Sequence, residues 1–100
     1  MIQSFRDEAT EDVFDGRDAR RARAACPRDL WRVAARKLEQ LDSSRDLHDL
    51  RVPRGNRLEA LAGNRQGQYS IRINDQYRVC FRWTSSGPEN VEIVDYHRGR

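Results

Sequence analysis

The sequence predicts an α+β domain in which an antiparallel sheet carries two N-terminal helices on one face. Three observations predict it. Residues 27–44 place Leu30, Val33, Ala34, Leu38 and Leu41 on one helical stripe, whereas residues 69–73 and 77–83 alternate apolar and polar side chains. A third concerns order: one short strand pattern opens the chain, the helical patterns follow, and three or four strand patterns come after residue 57. At 100 residues the chain has room for one core, so residues 1–100 read as a single domain.

Taken in order, MIQSF alternates Ile2 and Ser4 against Gln3 and Phe5 and reads as a short first strand. RDEATEDVFDG reads as a short helix, with acidic residues early, Ala9 and Val13 four apart, and Gly16 as its stop. Residues 17–25 are arginine-rich without an apolar stripe and read as a helical turn or connector. In PRDLWRVAARKLEQLDSS, Pro27 suits a first helical position and Asp29 the positive end of the helix dipole, with Trp31 bordering the stripe. Leu47 and Leu50 anchor one turn, and Leu58–Ala62 reads as a short strand.

The hairpin that follows has a definite register. A two-residue loop at Asn74-Asp75 would set Ile71 opposite Arg78 and mix charge into the apolar face. A three-residue loop, Asn74-Asp75-Gln76, pairs Ile71 with Val79 and Arg72 with Arg78, which keeps both faces consistent. The apolar face then packs on the helix, and Arg72, Arg78 and Arg82 share the other. TSSGPEN reads as the next turn and VEIVDYH as the last strand.

Composition narrows the function. No apolar run approaches the ~18 residues of a membrane span, and the N-terminus lacks a signal peptide's apolar stretch, so no membrane partner and a cytoplasmic location are expected. Cys26 and Cys80 stand far apart with no CxxC spacing and read as reduced, buried thiols. Residues 51–82 hold seven arginines against only Glu59 and Asp75, a local excess that suits RNA, DNA or an acidic protein alike. His48, His97, Cys26 and Cys80 show no local chelate spacing, so no metal is expected. GNRQGQ runs from strand to strand rather than into a helix, which argues against a nucleotide cofactor, and no cofactor of any kind is expected. No serine sits at a nucleophile elbow.

What remains is arginine and the terminal Asp95-Tyr96-His97. These three end the last strand either as polar punctuation or as half of an active site. Metal-free RNA cleavage needs a group to take the 2′-OH proton, a cation for the charge growing on the phosphate, and a donor for the leaving oxygen. Histidine, arginine and tyrosine are suited to such work.

The block GNRQGQYSIRINDQYRVCFRW and the ending VDYH resemble the HigB toxins of the RelE superfamily, and the likeness extends less specifically over the whole chain. The resemblance implies a microbial-ribonuclease-like fold and a metal-independent endoribonuclease that cuts mRNA in the ribosomal A site. It implies a HigA-type helix-turn-helix antitoxin, with operator DNA met only through the antitoxin complex. By position it makes Arg78, Asp95, Tyr96 and His97 catalytic and Arg65 a residue of the RNA groove, and Arg72 and Arg82 of the same polar face, with Glu59, are expected to bind RNA beside them. Family members usually carry lysine where this chain has Ala62, which implies a weakened grip on phosphate. Two alternatives accompany this reading. ParE-like proteins of the same superfamily poison gyrase, and a catalytically weakened toxin could serve mainly as an antitoxin-binding co-repressor.

Overall fold

The computed structural model describes residues 1–96. These form three α-helices, α1 (Glu8–Asp15), α2 (Arg20–Ala25) and α3 (Trp31–Ser43), followed by four strands, β1 (Glu59–Ala60), β2 (Tyr69–Arg72), β3 (Tyr77–Thr84) and β4 (Gly87–Asp95). The sheet is antiparallel throughout, in the order β1-β2-β3-β4. The expected α+β architecture is present, with one helix more than the two expected.

Local chemistry explains each helix. The Asp7 carboxylate accepts from the Thr10 amide at 2.7 Å to cap α1, Glu8 and Glu11 occupy its first turn, and Gly16 ends it in the left-handed conformation. α3 starts later than its sequence suggests. Pro27 has φ −53° and ψ 141°, an extended conformation, and a 3-10 turn at Arg28–Leu30 intervenes. Trp31 consequently faces inward, donating from Nε1 to the Cys26 carbonyl at 2.8 Å. Trp31, Ala34, Leu38 and Leu41 form the buried stripe, while Leu30 and Val33 are only partly covered.

That stripe packs against Ile71, Val79, Phe81, Val91 and Ile93 from one face of the sheet. Truncating Leu38 or Phe81, both fully buried, to alanine costs about 2–5 kcal/mol by cavity formation. α1 is fastened to β4, because the Ile93 amide donates to Thr10 Oγ1 at 3.0 Å. α2 is fastened to α1 by Arg21, whose Nε donates to the buried Asp12 carboxylate at 2.6 Å. Cys26 and Cys80 are buried free thiols, each pushed up to about 11 by burial.

Three elements differ from their sequence reading. Residues 2–6 form no strand. They run parallel to β4 through the bonds Gln3 N to Pro88 O, Val91 N to Ser4 O and Arg6 N to Val91 O, with a single bridge at Phe5. Only Ile2 and Phe5 offer apolar surface there, too little to hold a regular edge. Gly87, at φ 129°, permits the approach, since an added Cβ would lie 2.3 Å from the Met1 carbonyl oxygen. The β3–β4 turn is tighter than TSSGPEN implies, with Thr84 paired to Gly87 and β4 already under way at Pro88. Finally, β1 ends at Ala60, so Ala62 lies beyond it, preceding a 3-10 turn at Gly63–Arg65.

Candidate functional site

The hairpin register is the one that side-chain alternation predicts: Ile71 opposes Val79 and Arg72 opposes Arg78. Directly opposed residues project to the same face, so the side away from the helices carries two rows. One row runs Glu59, Ser70, Cys80, Glu92, and the other runs Arg72, Arg78, Val94.

Arg78 is the centre of this face, and it is buried, at 8% exposure. Its Nε donates to Ser70 Oγ at 2.7 Å, and its Nη2 donates to the Arg57 carbonyl at 2.6 Å and lies 3.4 Å from Glu59 Oε1. The guanidinium carbon stands 5.6 Å from the centroid of the Tyr96 ring, within cation–π range. Tyr96 reaches it because β4 ends at Asp95 and the Tyr96 amide donates to the Gln76 carbonyl at 2.7 Å. Burial pushes the Tyr96 phenol above its ordinary value, with Cys80 and Glu59 adding and Arg78 and Arg65 opposing, so the hydroxyl stays protonated at neutral pH.

Around this pair lies an open cleft of about 440 Å³, lined by Arg57, Glu59, Arg72, Arg78 and Tyr96 with Asn74 and Asp75 of the hairpin loop. Arg72 Nη2 donates to Asp75 Oδ1 at 2.5 Å, and that bond holds the Asp75 carboxyl below its usual range. A fixed cation, a protonated phenol and two further arginines can receive a phosphodiester, balance charge on it and supply a proton.

The other sequence-predicted residues are distributed as follows. Arg65 lies at the edge of the same face, tied at 2.7 Å to Glu92 and at 3.1 Å to Gln68, and Arg6 grips the other oxygen of Glu92 at 3.2 Å. Arg82 is exposed and does not line the cleft. It sits four residues along β3, roughly 13 Å away by strand rise, with its guanidinium against Gly67. A register shift between Cys80 and Arg82 further separates it from the row. Asp95 opposes Tyr77 on the helix-side register and accepts from Gln76 Nε2 at 3.1 Å, so it flanks the cleft rather than lining it. His97 lies outside the described residues. Among the described residues, no cluster of three or more His, Cys, Asp or Glu side chains could hold a metal ion, and no helix is long and apolar enough to cross a membrane.

Sequence reasoning missed Arg57, Ser70 and Glu92. The alternation that puts Arg72 and Arg78 on one face also puts Ser70 and Cys80 there, so Ser70 was within reach. Arg57 carried no periodic signal, lying in PRGNR between elements.

Comparison with known proteins agrees with this architecture. A family model described as the RelE-like toxin of type II toxin–antitoxin system HigB matches residues 3–97. Toxin HigB-1 of Vibrio cholerae is 42% identical over 98 residues, covering 98% of this chain and 99% of that protein. An uncharacterized protein of Haemophilus influenzae is 37% identical over 67 residues, which is 67% of this chain and 66% of that one. The chain is thus the toxin of a toxin–antitoxin pair, with an antitoxin as its partner, and it belongs to the HigB-like, RelE-like toxins of type II systems.

Proposed function

We propose that this toxin is a ribosome-dependent, metal-independent mRNA endoribonuclease, neutralised by a HigA-type helix-turn-helix antitoxin and acting in the cytoplasm. One observation carries the reading: a buried arginine, locked by Ser70 and the Arg57 carbonyl, stacks beneath a protonated tyrosine at the floor of an open cationic cleft.

In this reaction the 2′-oxygen attacks phosphorus, the P–O2′ bond forms and the P–O5′ bond breaks. The products are a 2′,3′-cyclic phosphate and a 5′-hydroxyl. Arg78 balances the charge that builds on the non-bridging oxygens, and its fixed geometry means that little reorganisation is needed as that charge develops. Tyr96 donates a proton toward the leaving 5′-oxygen. Glu59, which lines the cleft, takes up the proton of the 2′-OH, and Asp95 and His97 are kept as catalytic residues of the terminal cluster. Arg72 and Arg65 track the flanking phosphates, and Arg82 lies further along the RNA path.

A second reading, a weakened toxin acting chiefly as co-repressor with its antitoxin, is favoured by two features. Arg78 and Arg72 each face an internal carboxylate, Glu59 and Asp75, and position 62 is alanine. Expression of the toxin alone in bacteria, followed by mapping of mRNA 5′ ends, separates the readings. Codon-phased cuts support the ribonuclease. DNA damage with intact mRNA would instead mark a ParE-like gyrase poison, and absence of toxicity the co-repressor.

A further inference from the structure

The cleft contains an arginine that neither motif nor register singles out. Arg57 has φ 44° and ψ 56°, a left-handed conformation that side-chain-bearing residues rarely adopt. Such a conformation persists where the surroundings over-determine it. Here they do so from both sides.

On the N-terminal side, Asn56 is fully buried and works as a peg. Its Nδ2 donates to the Leu50 carbonyl at 3.1 Å and to Gln40 Oε1 at 3.0 Å, and its Oδ1 accepts from Lys37 Nζ at 2.5 Å. On the C-terminal side, Arg78 Nη2 holds the Arg57 carbonyl at 2.6 Å. A tight turn between these anchors would ordinarily call for glycine. Instead it presents an exposed guanidinium to the cleft that Arg78 and Tyr96 floor.

The neighbouring cations each have an internal partner. Arg72 is bonded to Asp75 and Arg65 to Glu92, whereas Arg78 spends Nε and Nη2 on Ser70, Glu59 and the Arg57 backbone. The Arg57 side chain takes part in none of the described hydrogen bonds or ion pairs, its charge only helping to lower the Asp75 carboxyl, and it faces the same cavity.

We propose that Arg57 is a phosphate-binding residue of this cleft, gripping the RNA backbone from the rim while Arg78 holds it from the floor. The proposal rests on the ribonuclease reading for its ligand, a phosphodiester of single-stranded RNA. A rim arginine acts chiefly on binding, is screened by salt and contributes one phosphate contact.

Arg57→Gly is the informative variant, because glycine adopts the left-handed turn freely while the side chain and its charge are removed. The probe is a short 2′-O-methylated RNA, which the toxin can bind but not cleave, titrated across a range of salt concentrations. The expected result is a roughly 10-fold weaker affinity and a salt slope shallower by about 0.7, with thermal melting no lower than the parent's. Arg57→Lys should restore the slope and part of the affinity. Parental affinity and slope in Arg57→Gly would overturn the proposal while leaving the ribonuclease reading intact. If the parent binds RNA through Arg57 but cuts no ribosome-bound mRNA, the reading falls and the binding site stands. If the parent does not bind the RNA at all, the proposal is overturned.

Discussion

The guanidinium of Arg78 lies 5.6 Å from the centroid of the Tyr96 ring, so residues 18 apart in sequence meet at the floor of one cleft. The β3–β4 pairing produces this meeting: Arg78 opposes Val94, and two residues further on, just past the end of β4, Tyr96 reaches the same face. The catalytic assignments proposed above depend on that geometry.

The role proposed for Arg78 in catalysis adds to its structural one, and substitutions should separate the two. Arg78→Ala should cut cleavage of ribosome-bound mRNA by roughly 10²–10³, corresponding to about 3–4 kcal/mol of lost charge stabilisation. It should also destabilise the fold by about 1–3 kcal/mol, because Ser70 and the Arg57 carbonyl lose a buried partner. An exposed arginine, as sequence alone would suggest, would leave stability unchanged. Single-turnover kinetics with urea unfolding measures both effects, and a parental rate in the variant would reduce Arg78 to a structural residue.

Tyr96→Phe keeps the ring over Arg78 and removes only the hydroxyl. If Tyr96 supplies a proton, the variant should lose about 10²-fold in rate with little change in melting temperature. A variant as fast as the parent would leave Tyr96 a stacking role alone.

Much of this site was legible before the structure, for identifiable reasons. Strict alternation in YSIRI and YRVCFRW admits one register, and a one-residue slip would have buried Arg72 or Arg78 against the helices. The α3 stripe was legible by the same logic at helical period. What escaped were features set by tertiary contact. Arg57 is left-handed because Asn56 and Arg78 hold it so, and nothing in PRGNR encodes that. Arg82 has the right parity on β3 yet lies too far along the strand, which parity cannot report. Pro88 and Asn90 look like turn residues, but they belong to β4, where Asn90 adopts φ 53° beside the register shift.

Ala62→Lys should raise the cleavage rate about 10-fold, the upper effect of one added charge-assisted contact being about 1.5–3 kcal/mol. Ala62 is exposed and outside any strand, so melting should not change. An unaltered rate would mean that the cleft's existing arginines already supply the grip that a lysine there would add.

Acid should loosen the attachment of α2 to α1. A hydrogen bond from Arg21, with Arg17 assisting, holds the buried Asp12 carboxyl below its ordinary value of 3.8 despite the opposing effect of burial. Because the folded value is depressed, the stability Asp12 contributes is complete above about pH 4 and is lost as pH falls through the folded value. Asp12→Asn should therefore melt below the parent at neutral pH, with the gap narrowing in acid. A gap that stays constant from neutral pH to about pH 2.5 would contradict this.

The most direct test of the central claim is single-turnover cleavage of one mRNA presented free and on programmed ribosomes at matched salt, without divalent-ion dependence beyond that of the ribosome itself. Phosphate contacts in the cleft bind without reading sequence, so the free RNA should be held yet cut slowly, while the ribosome supplies the alignment. The account predicts rapid, codon-phased cleavage on ribosomes that leaves 2′,3′-cyclic phosphate ends and is lost in Arg78→Ala. Equal rates on free and ribosome-bound RNA, or phased cuts that survive Arg78→Ala, would contradict it.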